Sequence, residues 1–200
     1  MIVDTKGLRE RYAAPGERAV AKQLGRLDVH CRRFIGLSPF MVIASGGGGQ
    51  NLDASPRGGE PGFVKVRDDH TLLIPDAQGN NRLDTLTNIL ADGKVGLLFL
   101  IPGIDETLRI NGRARLRDEA EFFAPFAADQ RPPKLVIELA VTEAYLHCAK
   151  AMMRSGLWSV DSHIERSVLP SMGQMLKDQT GSAAPAETQA EMVVRYTETL

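Results

Sequence analysis

The chain has 200 residues, 43% of them hydrophobic and 24% charged, with a formal net charge of -1 at pH 7. That size suits one domain with a real core, and the near-neutral balance gives no general attraction to nucleic acid or to an anionic membrane. No apolar run approaches the ~18 residues of a membrane span, the N-terminus lacks a signal-peptide core, and Cys31 and Cys148 stand far apart, so the expectation is a soluble cytoplasmic protein with reduced thiols.

Residues 15–37 place Val20, Leu24, Leu27, Cys31, Phe34 and Ile35 at helical steps, which predicts one amphipathic helix stopped by Ser38-Pro39. FMVIAS then opens a strand. The next stretch, SGGGGQNLDASPRGGEPG (residues 45–62), poses a choice between a phosphate loop and a turn. A dinucleotide fingerprint begun at Gly46 puts its last glycine on Asn51, and one begun at Gly47 puts it on Leu52; no Lys-Ser or Lys-Thr stands at P-loop spacing. The tetraglycine therefore reads as a hairpin turn.

Short strands follow at 52–55, 63–66 and 71–74, spaced as in an antiparallel meander or barrel. GNNRLDTLTNILADGK predicts a helix over 81–91 that buries Leu83, Leu86, Ile89 and Leu90. Residues 95–101 (VGLLFLI) are a continuous apolar strand. Residues 107–117 alternate, with Leu108, Ile110, Gly112, Ala114 and Leu116 on one face and only polar side chains on the other. DEAEFFAPF predicts a short helix, LVIELAVTE a strand, and residues 145–153 a helix ending near Gly156. Beyond Asp161, GSAAPAETQA reads as a flexible link to a marginal C-terminal segment. The expected organisation is a single domain over 1–200, with an N-terminal helical segment (1–37), a core (38–158) and a helical or flexible extension (159–200).

Three basic features could carry chemistry. In Asn80-Asn81-Arg82 an asparagine is placed to cap the helix, leaving free amides at its positive end. Arg82 in that first turn is unfavourable by roughly 0.3–1 kcal/mol unless an anion sits there; the plainer alternative is that Asp84 neutralises it in solvent. Ser55-Pro56-Arg57-Gly58-Gly59 joins a hydroxyl, a guanidinium and closely approachable backbone, which suits a phosphate or a flat ring edge, or else forms a turn with an exposed arginine. On the polar face of 107–117, Thr107 and Arg109 lie nearest the strand start and are placed to face a site, while Arg113, Arg115 and Arg117 read as solvated. HCAKAMMRSGLW adds Lys150 and Arg154 four residues apart, with Trp158, either as packing at a helix end or as an aromatic and basic edge beside a planar anion. The four histidines show no metal-ligand spacing.

In order along the chain, FMVIAS, DASPRGGEPGFVKV, LLIPDAQGNNRLDTLTNIL, KVGLLFLIPGIDETLRINGRARL and HCAKAMMRSGLW resemble the pyridoxamine 5'-phosphate oxidase-like, FMN-binding split-barrel family over roughly 34–158. The likeness is to a branch carrying S-P-R-G-G and G-N-N-R and not to the vitamin B6 enzyme itself, whose basic patterns this chain does not reproduce. The resemblance implies a mainly β fold with flanking helices, a six-stranded antiparallel split β-barrel, and a homodimer holding two FMN molecules at its interface. It implies that the flavin phosphate meets Ser55, Arg57 and Gly58 on one strand and Asn80, Asn81 and Arg82 on a turn. Thr107 and Arg109 would lie near the flavin, and Lys150, Arg154 and Trp158 would come from the partner subunit. An FMN-dependent oxidoreductase acting on a small molecule is the expected function, with no nucleic-acid or membrane partner. A non-catalytic flavin or haem module and a reductase using the deazaflavin F420 are the alternatives.

Overall fold

The computed structural model describes the chain except for Gly48, Gln78, Gln130, Thr199 and Leu200. Two compact units are formed, Met1–Ser155 and Gly156–Leu200.

The first unit runs α1 (Thr5–Arg9), α2 (Glu17–Ala21), α3 (Val29–Leu37), β1 (Phe40–Gly47), β2 (Gln50–Gly58), β3 (Lys65–Asp68), β4 (Thr71–Pro75), α4 (Asp84–Ala91), β5 (Lys94–Ile101), β6 (Ile104–Arg117), α5 (Ala120–Phe123), β7 (Val136–His147) and α6 (Lys150–Ser155). The seven strands make one antiparallel sheet in the order β2-β1-β5-β6-β7-β4-β3. The mainly β architecture with flanking helices is thus as expected, and every strand read from the sequence pairs in the sheet. The sheet has seven strands where a six-stranded split β-barrel was expected, and among the described residues no strand pairing joins its edges, β2 and β3.

Alternation drives the folding of this sheet. Met41 and Ile43 of β1 lie opposite Phe99 and Leu97 of β5, and Leu108 and Ile110 of β6 continue the same inward row. All are buried and join Leu72, Ile74, Ile137 and Leu139 in one apolar cluster, which α3 covers with Cys31, Phe34 and Ile35. Asp28 caps α3 by accepting from the Cys31 amide at 2.8 Å. Burial and the nearby Asp28 carboxylate push the Cys31 thiol up to about 11, so it packs as an inert hydrophobe. Ser38 ends the helix and its Oγ donates to the Leu100 carbonyl at 2.6 Å, tying α3 to the end of β5.

Four features depart from the sequence expectations. Residues 15–37 are not one helix: between α2 and α3, Leu24 exchanges backbone hydrogen bonds of 3.0 and 2.8 Å with Ala144, extending the row that β4 occupies as far as Ala140. Backbone pairing with β7 there outweighs helical continuation. Residues 145–147 are strand and not helix, since Tyr145 and His147 pair with Arg109 and Thr107, and α6 begins only at Lys150. β6 alternates as expected, but its partner β7 carries a bulge that the sequence does not signal: Thr142 is passed over between the partners of Asn111 and Gly112, and its Oγ1 donates to the Asn111 carbonyl at 3.0 Å. Finally, Arg113 and Arg117 are not simply solvated: Arg113 donates to the Asp92 carbonyl at 2.7 Å, and Arg117 pairs with Glu138 at 2.7 Å.

The tetraglycine hairpin is as expected, with Gly46 and Gly49 at positive φ (141° and 87°); Gly48 lies outside the described residues. The second unit contains α7 (Met172–Thr180) and α8 (Gln189–Thr197), where the sequence shows little signal. Ser171 caps α7 and donates to the Glu187 carbonyl at 3.0 Å; Thr188 and Glu191 form a capping box on α8. No described residue of this unit is buried. Among the described residues, no helix is long and apolar enough to cross a membrane.

The bulge explains a glycine. A Cβ on Gly112 would stand 2.2 Å from the Ala140 carbonyl oxygen, so backbone itself must shift to admit it. Gly112→Ala is expected to lower unfolding free energy by about 3 kcal/mol, read from urea denaturation followed by circular dichroism.

Candidate functional site

The site grows from the edge strand β2. Its odd positions, Asp53, Ser55 and Arg57, are half-buried, while Leu52, Ala54 and Pro56 between them are exposed. The odd residues lie opposite Ser45, Ile43 and Met41, all buried, so a polar stripe extends the apolar inner face of the sheet to its edge. Helix α4 covers that stripe. Asn88, buried, donates from Nδ2 to Ser45 Oγ at 3.1 Å and to the Asn51 carbonyl at 3.0 Å. Thr85, also buried, donates to Asp53 Oδ2 at 2.5 Å and lies 3.2 Å from Ser55 Oγ; Ser55 in turn donates to Asp53 at 2.9 Å. Five polar side chains and the Asn51 carbonyl are thereby satisfied inside a contact that would otherwise strand them.

The helix start differs from the sequence reading. Helix α4 begins at Asp84 and not at residue 81, its cap position is Leu83 with φ 62°, and no side chain caps it. Asn80 instead turns the chain locally, its Oδ1 accepting from the Arg82 amide at 3.1 Å, and Asn81 has φ 60°. The later start also rotates the buried face: Thr85, Leu86, Asn88 and Ile89 face inward, and Leu83 and Leu90 are exposed. Arg82 Nε donates to Asp84 at 2.8 Å with a largely exposed side chain, and that contact, foremost, holds its guanidinium in the charged form. Arg82 also borders a depression of about 200 Å³ shared with Asn51, Asp53 and Asp84.

At the other end of the stripe, Arg57 reaches the residue following β4. Its Nη2 stands 3.9 Å from Asp76 Oδ1, with only 23% and 17% of the two side chains exposed, and its Nη1 donates to the Pro56 carbonyl. Burial pushes the Asp76 carboxyl up, against the opposing pull of Arg57 and Lys134. Gly58 lies beside Phe40 and has room for a Cβ; the crowded glycine is Gly59, whose Cβ would stand 2.8 Å from that of Phe63.

Thr107 is buried at 6% exposure, paired with His147, while Arg109 is exposed and lies 5.2 Å from the centre of the Tyr145 ring. Lys150 and Arg154 are exposed on α6, and Trp158 belongs to the second unit and is half-buried. A larger depression of about 540 Å³ opens around Gly96, Asn111 and Arg113 on the outer side of the sheet, and none of the sequence-derived site residues lines it.

Two buried side-chain nitrogens among the described residues have no hydrogen-bond partner: Arg57 Nε and His147 Nδ1. Arg57 is a position singled out from sequence; His147 is not, but it lies on β7 directly opposite Thr107, which is. The residues that sequence reading missed are Asp53, Asp76, Thr85, Asn88 and His147. Asp53 was within reach, because D-A-S-P-R places it on the same strand face as Ser55 and Arg57. Asp76 carried no local signal, since its partner lies across the fold.

A sequence profile described as Pyridoxamine 5'-phosphate oxidase matches residues 27–148. No curated protein matches the chain. Among solved structures, a variant of Group A Streptococcus HupZ is 17% identical, with 60% of this chain and 98% of that chain aligned at a TM-score of 0.50. An FMN-binding protein from Syntrophomonas wolfei is 12% identical over 58% of this chain and 83% of its own, at 0.46. The FAD-binding protein from Mycobacterium smegmatis is 13% identical over 62% and 97%, at 0.42.

Asn88→Ala would leave Ser45 and the Asn51 carbonyl without their donor, and is expected to cost about 2 kcal/mol of stability in urea unfolding. Asp76 predicts a pH effect. A carboxyl raised on folding contributes stability that is fully present below its unfolded value of 3.8 and lost as pH rises through the folded value. Asp76→Asn should therefore raise the urea midpoint at about pH 7, with the gap from wild type closing towards about pH 3.

Proposed function

Because the chain belongs to the pyridoxamine 5'-phosphate oxidase family, we propose that it binds FMN and works as an FMN-dependent oxidoreductase on a small molecule. The observation that carries this reading is the pair of orphaned buried nitrogens. Arg57 keeps a buried donor with no acceptor and a carboxylate only at 3.9 Å, which leaves it short of the oxygen atoms that a phosphate provides. His147, beside Thr107 on the neighbouring strand, is the second group that finds no partner among the described residues.

The residues fit the group. Ser55, Arg57 and the Gly58 backbone would hold the phosphate from β2, and Asn80, Asn81 and Arg82 would close on it from the turn before α4. Arg82 would exchange its solvent-exposed contact with Asp84 for a dianion, an exchange favoured because exposed ion pairs contribute little. Thr107 and Arg109 would flank the ring. The bound flavin would supply the redox chemistry, and the chain's residues would orient it and limit solvent access.

A homodimer is part of the proposal. The outer side of the sheet carries Val42 between Pro56 and Leu98, Ala44 between Ala54 and Gly96, and Phe40 beside Leu100, an apolar band on adjoining strands. A second copy seated there would complete a split barrel of the family type and bring in Lys150, Arg154 and Trp158. A cytoplasmic setting suits the two free cysteines.

Titration of apo protein with FMN, read by quenching of flavin fluorescence, is the direct test. Arg57→Ala is expected to weaken FMN binding by about a hundredfold, two charge-assisted hydrogen bonds' worth. Absence of FMN binding by the wild-type protein would overturn the proposal. Anaerobic addition of NAD(P)H then separates the enzyme from a carrier: flavin bleached within catalytic time supports the oxidoreductase, and flavin that stays oxidised supports a carrier.

A further inference from the structure

Asp76 occupies an odd place for an acid. It follows β4 directly, and its backbone N–H donates to the Leu135 carbonyl at 3.0 Å, which continues the β4–β7 ladder and fixes its position. Its carboxylate is aimed across the seam of the sheet at Arg57 on β2, a strand with which β4 shares no backbone pairing among the described residues. The separation of 3.9 Å is too long for a hydrogen bond, so the two groups attract without saturating one another. Lys134 is the only other charge acting noticeably on this carboxyl among the described residues.

We infer that Asp76 is the resident counter-ion of Arg57 and competes with the ligand's phosphate for it, thereby setting how strongly this site holds a phosphorylated flavin over an unphosphorylated one. The inference rests on the FMN reading given above. An incoming dianion meets Arg57 beside a carboxylate whose backbone the β4–β7 ladder fixes next to it. Two like charges share one guanidinium, and part of the phosphate's affinity is spent on that repulsion. The carboxyl is already disposed by burial to take a proton, with Arg57 on β2 and Lys134 ahead of β7 opposing, so phosphate arrival is coupled to proton uptake at Asp76.

The test compares wild type with Asp76→Asn and Asp76→Ser, using FMN and riboflavin as probes in fluorescence titrations at one ionic strength. Both variants are expected to bind FMN about tenfold more tightly than wild type, and riboflavin, which lacks the phosphate, with unchanged affinity. Calorimetry in buffers of different ionisation enthalpy should show fewer protons taken up per FMN bound by the variants than by wild type. FMN affinity that is equal or weaker in both variants overturns the inference while leaving FMN binding itself intact. Riboflavin tightening by the same factor as FMN also overturns it, since the effect would then not act through the phosphate. If the wild-type protein binds no FMN at all, the functional reading falls, and this inference with it.

Discussion

The contact between α4 and the edge strand β2 is the constraint on which the candidate site depends. An edge strand with three inward polar side chains is poorly suited to finish an apolar core; Asp53 and Ser55 remain there because helix α4 supplies Thr85 as a matching polar group, and Arg57 because Asp76 stands near it. Asn88 clamps two strands at once, taking Ser45 from β1 and Asn51 from β2. Thr85 closes the network on Asp53 and Ser55. With the helix so fixed, Arg82 of the preceding turn borders the Asn51–Asp53 end of the β2 stripe, while Arg57 occupies the other end beside Asp76.

The electrostatics of that stripe is unevenly settled. Asp53 accepts from two hydroxyls and is well provided for. Arg57 and Asp76 are not: both are withdrawn from water, yet they stand 3.9 Å apart. Desolvation outweighs attraction for the carboxyl, which is why burial is the leading cause of its raised value. Such a pair contributes little stability to the empty protein and is easily rearranged by a stronger anion. Incomplete satisfaction of this kind is costly in a purely structural contact and useful in one that must accept a ligand.

The two faces of the sheet divide the labour. The inner face is closed by α3 and the apolar cluster, whose large members Phe99, Ile110 and Leu72 are wholly buried. The outer face keeps Phe40 38% and Leu52 87% exposed on adjoining strands, which is more apolar surface than a sheet facing water generally displays. The inner face accounts for folding, and the outer one is where a second copy would find purchase.

Local pattern alone determined the strands, because side-chain alternation and glycine turns act over a few residues: the tetraglycine hairpin, the continuous apolar run of β5 and the inward row of β6 are all written in the chain. The same short range made DASPRGG and GNNR visible as basic, closely approachable segments and carried the family likeness. What tertiary structure alone decided is where helices begin and which polar groups meet. Leu24 leaves its helix to pair with Ala144, residues 145–147 stay extended against β6, and α4 starts three residues late with Thr85 and Asn88 turned inward. Asp76 meets Arg57 only because the sheet curls its far strands together. Those outcomes hinge on hydrogen bonds and charges between residues far apart in the chain, whose partners no local periodicity encodes.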